Sequence, residues 1–157
     1  MEMDETPEIV AVDPRSGEAL QLIHALSEEL ASRYEYSDDG SGNFQPEDAF
    51  GERAAFLIAR LGDRAVGCGA LRPVTNNVAE IKRMFVVPEC RGRGYAKLIL
   101  RELERVARRA GYTTVRLETA DRQPEAIRLY ERAGYRHIPN FGIYAGSKRS
   151  LCFEKEL

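Results

Sequence analysis

Hydrophobic positions along the chain fall either into short apolar or β-branched runs or into stretches that recur near helical spacing, and each change predicts a new element. The short apolar run Ile9–Val12 predicts a strand. Ser16 then predicts a helix cap, with Leu22, Leu26 and Leu30 along one face of a helix running to about Tyr34. Ser37–Gly42 is a turn-rich break, and the loop continues through Asn43 and Pro46. Ala54–Arg60 and Ala65–Leu71 predict two strands joined as a hairpin across Gly62-Asp63. After the turn Pro73–Asn77, a third and longer strand covers Val78–Val87. From Tyr95 to Ala110, Leu98, Leu103, Val106, Ala107 and Ala110 recur near helical spacing, and Gly111 ends the helix. Thr113–Thr119 is rich in β-branched residues and predicts a strand. Pro124 suits a first helical position, Ala126, Ile127, Leu129, Tyr130 and Ala133 follow it, and Gly134 stops the helix. Tyr135–Ile138 and Leu151–Glu156 are short terminal strands around a Gly/Pro/aromatic loop, Pro139–Lys148. The order β-α-β-β-β-α-β-α-β-β predicts a mixed α/β (α+β) fold in a single domain over residues 1–157.

Composition narrows the function classes. At 157 residues the chain is long enough for one proper core. No run approaches the ~18 apolar residues of a membrane helix. The acidic start, MEMDETPE, lacks the apolar stretch of a secretory signal, so the expected location is cytoplasmic. A net charge of −2 argues against a general nucleic-acid binder. Cys68, Cys90 and Cys152 are scattered without the close spacing of a zinc site, and His24 and His137 lie far apart. The expectation is three reduced thiols and no metal.

The most informative segment is Arg91-Gly92-Arg93-Gly94-Tyr95-Ala96-Lys97, which follows the apolar run Met84-Phe85-Val86-Val87-Pro88 and opens a helix. Strand, Gly-rich turn and helix N-terminus form an anion cradle. Glycines let the backbone approach closely, free N–H groups point at the ligand, and the helix dipole adds partial positive charge. The P-loop spacing G-x-x-x-x-G-K-[ST] does not occur here. The dinucleotide fingerprint G-x-G-x-x-G fits at Gly92 and Gly94 and fails at Lys97, and the preceding hairpins disagree with a βαβ opening.

A third signature fits. Arg91-x-x-Gly94-x-Ala96 resembles the [Q/R]-x-x-G-x-[G/A] signature of the GCN5-related N-acetyltransferases, the GNAT superfamily. Gln123-x-x-Ala126-x-x-Leu129-Tyr130-x-x-x-Gly134-Tyr135 resembles that family's second signature, with Gln123 standing where the family usually has Asn. The resemblance covers roughly Ile9 to Leu157. It implies a GNAT acyl-CoA N-acyltransferase fold, a mixed central sheet flanked by helices with splayed central strands. It implies acetyl-CoA as donor, without a metal, and a primary amine as acceptor.

The resemblance also distributes roles. The backbone of Arg91, Gly92, Arg93, Gly94, Tyr95, Ala96 and Lys97 is expected to hold the coenzyme A pyrophosphate, with the Arg91 and Arg93 guanidinium groups as additional contacts. Met84, Phe85 and Val86 are expected to carry the pantetheine arm, and the Val86 N–H to polarise the thioester carbonyl. Gln123 is a further cofactor contact. Glu80, eleven residues before Arg91, is the candidate base, with Glu118 as the other carboxylate considered. Tyr130 is the candidate acid for the sulfur. The basic residues of the helix from Tyr95 to Ala110 are expected on a solvated face with Glu102 and Glu104 as partners.

Acceptor identity lies outside both signatures. Family precedent places the amine pocket among the first helix, the loop after it and the last hairpin, which here supply Tyr34, Tyr36, Phe44, Phe141 and Tyr144. Aromatic walls suit a small organic amine, and Arg72, Lys82 and Arg83 suit a carboxylate on an amino-acid-like acceptor. A protein or peptide amine is the alternative acceptor, since Glu80 sits at the offset that protein acetylases use. A CoA-sensing domain without turnover is the alternative to an enzyme. A homodimer follows family precedent, whereas membrane and nucleic-acid partners are not expected.

Overall fold

In the computed structural model, which describes residues 5–33 and 44–157, the short apolar and β-branched runs form strands β1 (Glu8–Ala11), β2 (Ala55–Leu61), β3 (Arg64–Pro73), β4 (Val78–Val86), β5 (Thr114–Ala120), β6 (Arg136–Ile138) and β7 (Ser150–Glu156). The helical-period stretches form α1 (Gly17–Arg33), α2 (Tyr95–Arg109) and α3 (Pro124–Arg132). The break expected at Ser37–Gly42, and the aromatic candidates Tyr34 and Tyr36, lie outside the described residues. Ser16 caps α1 as expected, its Oγ accepting from the Ala19 N–H at 3.3 Å. Short 3₁₀ turns at Pro46–Ala49, Pro88–Cys90 and Gly142–Tyr144 carry no apolar period and were not legible as elements.

Among the described residues the strands make one seven-stranded sheet in the order β1-β2-β3-β4-β5-β7-β6, antiparallel except for the parallel pair β4–β5. Alternation along the strands gives each face its own core. Ile81, Val115 and Leu117 face α2 and pack with Ile99, Leu100 and Leu103. Phe56, Ile58 and Phe85 face α1 and pack with Leu22 and Leu26. Helix α2 lies very close to β3: a Cβ at Gly69 would fall 2.8 Å from both Leu103 Cδ1 and Met84 Sδ.

Two irregularities open the middle of the sheet. Along β3 and β4, Cys68 pairs with Phe85 and Ala70 with Lys82, so Arg83 and Met84 together oppose Gly69. This β-bulge holds Arg83 at φ +58°, a left-handed conformation uncommon for a side-chain-bearing residue. The β4–β5 pairing runs only from Val78–Thr114 to Ile81–Leu117. Beyond that last rung the strands diverge, as the splayed-sheet expectation requires.

The surface of α2 departs from expectation at one position. Arg105 does pair with Glu102 along the helix, its Nε donating at 2.9 Å. Glu104, expected on the solvated face, is instead buried, accepting from Tyr135 Oη at 2.8 Å and Lys155 Nζ at 3.1 Å. Its partners come from β7 and the residue before β6, which a helical period cannot foresee.

Candidate active site

The glycine turn has the geometry that an anion requires. After β4, the Pro88–Cys90 turn leads to Gly92 at φ +80° and Gly94 at φ +84°, and Gly94 caps α2 in the left-handed region. A Cβ on either glycine would meet nothing within 4 Å, so the requirement there is conformational and the space above the turn is open. The N–H groups of Tyr95, Ala96 and Lys97 belong to the first helical turn and have no intrahelical acceptor. The Tyr95 side chain is buried, its hydroxyl donating to the Glu5 carbonyl at 3.0 Å, so this residue can offer only its backbone. Arg93 and Lys97 are exposed. Arg91 is committed within the protein: Nε donates to the Val86 carbonyl at 2.8 Å and Nη2 to Glu29 Oε1 on α1 at 2.7 Å.

From this turn a cleft of about 750 Å³ runs between the diverging ends of β4 and β5. Leu26, Glu29 and Leu30 of α1 form one wall, and Gln123, Ala126 and Leu129 at the start of α3 form another. The ends of these walls are braced: Arg33 of α1 donates to the Arg122 carbonyl at 3.1 Å and pairs with Glu125 at 2.6 Å. Met84, Phe85 and Val86 line the floor. The Val87 N–H bonds back to the Val66 carbonyl at 2.9 Å, so by strand alternation the Val86 N–H and C=O point to the opposite edge, into the cleft. Arg91 takes that carbonyl, and the Val86 amide remains directed at the cleft. Gln123 is half-buried, begins α3 as its N-cap residue, and makes no side-chain capping bond.

Tyr130 also lines the cleft. Its ring is buried edge-on to Tyr135 at 5.9 Å and against Phe153 at 6.3 Å. Among the described residues its hydroxyl has no hydrogen-bond partner in the protein. Burial, and secondarily the charge of Glu118, push its pKa well above the ordinary tyrosine value. It therefore stays protonated throughout the neutral range and can serve as a proton donor. Glu118, near the end of β5, lines the same cleft and accepts from Ser150 Oγ at 2.7 Å.

Glu80 is placed differently. It is buried beside the cleft and is not part of its wall. Arg72, its cross-strand partner on β3, approaches one carboxylate oxygen with Nε at 3.0 Å and Nη2 at 2.9 Å. Tyr144 donates to the other oxygen at 2.6 Å. Lys82 Nζ lies 3.8 Å from that oxygen and donates to Tyr144 Oη at 2.5 Å. Arg72 also reaches Asp48 at 2.8 Å, so five side chains form one continuous polar chain from residue 48 to the cleft. Of this chain only Lys82 lines the cleft, and burial lowers its pKa against the opposing pull of Glu80. Tyr144 is pushed strongly upward, by burial first and by Glu80 second.

The expected aromatic wall is not assembled at the cleft by the described residues. Phe44 packs in the α1-side core. Tyr144 is buried in the Glu80 cluster, and Phe141 stacks edge-on against it at 5.3 Å. Nor do all three candidate cations face an acceptor. Arg72 is turned to Glu80 and Asp48, and Arg83 donates to the Ile23 carbonyl at 2.5 Å and Ser27 Oγ at 2.6 Å on α1. Lys82 as the cleft-lining member, and Tyr144 as its support, were not separable from their neighbours in the sequence. The β4 alternation placing Lys82 on the face of Glu80 was the available signal.

Comparisons with known proteins agree with this architecture. The model of the acetyltransferase (GNAT) family matches residues 20–135. An IAA acetyltransferase of Azospirillum brasilense is 40% identical over 103 residues, spanning 65% of this chain and 67% of its own length. A solved structure from Klebsiella pneumoniae, described as an acyl-CoA N-acyltransferase, superimposes with a TM-score of 0.79 at 31% identity, covering 96% of this chain and 97% of that one. A GNAT family acetyltransferase from Elizabethkingia anophelis, solved with acetyl-CoA bound, shares the fold with a TM-score of 0.70 at 16% identity, covering 98% of this chain and 100% of that one. Among the described residues, no helix is long and apolar enough to cross a membrane.

Proposed function

The chain belongs to the acetyltransferase (GNAT) family and is an acetyl-CoA-dependent N-acetyltransferase, and from that premise we propose that it acetylates the primary amine of a small molecule by direct transfer. The observation that carries this reading is that one cleft joins the glycine turn to Tyr130 and Glu118. Acetyl-CoA supplies the acetyl group as a thioester. The amides at residues 92–97 hold its pyrophosphate, aided by the helix dipole, whereas that of Arg91 is bonded to the Pro88 carbonyl. The Val86 N–H polarises the thioester carbonyl.

Glu118 takes the proton that the acceptor ammonium must lose before its nitrogen attacks the carbonyl carbon. As the C–S bond breaks, Tyr130 gives its hydroxyl proton to the departing sulfur, and the second proton lost by the attacking nitrogen, relayed through solvent, restores the tyrosine. The position of Glu118 in the cleft wall supports this assignment. Glu80, the carboxylate that the sequence favours, stands two hydrogen bonds behind the cleft, through Tyr144 and Lys82. In this reading Glu80 holds Tyr144 and Lys82 in place.

Thiol release from acetyl-CoA across a panel of small amines, amino acids and peptides tests the assignment. Glu118→Gln is expected to lower kcat by about 10²–10⁴-fold, the usual range for a general base. Tyr130→Phe is expected to cost about 10²-fold in kcat while acetyl-CoA still raises the melting temperature. Glu80→Gln is expected to spare the pH profile. A profile that loses its acidic limb in Glu80→Gln and keeps it in Glu118→Gln returns the base role to Glu80. Preferential turnover of peptides would replace the small-molecule acceptor.

A further inference from the structure

Building on the assignment of Glu118 above, we infer that the cleft recognises a zwitterion: Lys82 takes a carboxylate and Glu118 the ammonium of an amino-acid-like acceptor. The last rung of the β4–β5 ladder is Ile81–Leu117, and both of those side chains point into the α2-side core. The next residue on each strand is Lys82 and Glu118. Alternation therefore puts both on the opposite face, side by side where the strands part, and both line the cleft.

Their surroundings make this a constructed pair rather than two surface charges. The Lys82 side chain is only 10% exposed and its ammonium is aimed by the Tyr144 hydroxyl. The carboxylate behind it, Glu80, is already engaged by Arg72 and Tyr144. Glu118 is fixed by Ser150, and its charge is felt by Lys82, Tyr144 and Tyr130 together. An ammonium at Glu118 thus lies in the field of Tyr130, the proposed acid.

The pair discriminates by charge. A plain alkylamine is cationic and meets the like charge of Lys82. An acceptor with a carboxylate near its ammonium compensates both partners at once. A charge-assisted bond in such a setting is worth about 10- to 100-fold in affinity. The substrate class is therefore a free amino acid or a close analogue with its amine a few bonds from a carboxylate.

The experiment uses the full chain, acetyl-CoA and matched acceptors: L-amino acids, their amides and their decarboxylated amines, for example L-phenylalanine, L-phenylalaninamide and phenethylamine. Stabilisation by acetyl-CoA serves as the control for folding in each variant. For the pairs that turn over, kcat/KM is expected to favour the acid by about 10- to 100-fold. Lys82→Met is expected to collapse that ratio towards one, chiefly through KM of the acid, and Lys82→Arg to restore part of it. Amides or amines used as well as the acids, or a preference that survives in Lys82→Met, overturns the zwitterion site and leaves the transfer mechanism standing. An acid preference that survives in Glu118→Gln with undiminished kcat instead removes Glu118 from both roles.

Discussion

The two ends of the cleft are built by opposite means. The proposed donor end is a contiguous stretch, residues 91–97, that offers its backbone: two left-handed glycines and the first amides of α2. The proposed acceptor end offers side chains from separate strands and a loop, with Asp48, Arg72, Glu80, Tyr144 and Lys82 in one polar chain and Glu118 beside it. A backbone site tolerates side-chain exchange and is sensitive to conformation. A side-chain network is sensitive to the loss of any member, because each neutralises or satisfies its neighbour in a buried setting.

Single substitutions break or sharpen that contrast. The largest effect is expected at the acceptor end, where Arg72→Met strands the buried Glu80 carboxylate and costs about 3–5 kcal/mol of folding stability in urea titration. Adding Glu80→Gln to Arg72→Met is expected to recover a large part of that loss; strict additivity would mean the two are not coupled. At the donor end, Gly94→Ala has room for its methyl group but not the conformation, at a cost of about 1–2 kcal/mol. Calorimetric titration is expected to show acetyl-CoA binding weakened about tenfold, and unchanged binding would shift the contact away from this turn. Smallest is Arg93→Ala: the residue is exposed, so removing its charge is expected to weaken acetyl-CoA binding about fivefold or less, with the difference fading as salt is raised. A loss at Arg93 as large as at Gly94 would make the donor end a side-chain site after all.

The same contrast separates what the sequence discloses from what it hides. Among the described residues, apolar runs, turn residues and helix caps place each strand and α-helix to within two residues, because those signals are local. The turn at residues 91–97 and Tyr130, which the fold brings to one cleft, can be singled out in the sequence because each sits inside a fixed local spacing. Arg72 and Glu80 are eight positions apart and meet only through the β3–β4 register, which the turn closed by the Val74 N–H on the Val78 carbonyl sets. Tyr144 lies 64 positions from Glu80 on a 3₁₀ turn without a periodic pattern. Glu104 read as a surface charge because its partners Tyr135 and Lys155 arrive from other elements. The Arg91 guanidinium, expected as an additional phosphate contact, also ties the turn to α1 and to the Val86 carbonyl, which no local spacing announces.

The close seating of α2 on β3 bears on how this chain can vary. A methyl group at Gly69 would press on Met84, in the bulge, and on Leu103 and Ile99, in α2. One added carbon would therefore displace the floor of the cleft and the helix that carries the glycine turn at the same time. Ile143, 66% exposed on the loop before β7, has no such constraint. That loop is thus free to vary, whereas the spacing between the glycine turn and the floor of the cleft is gauged by a single missing side chain.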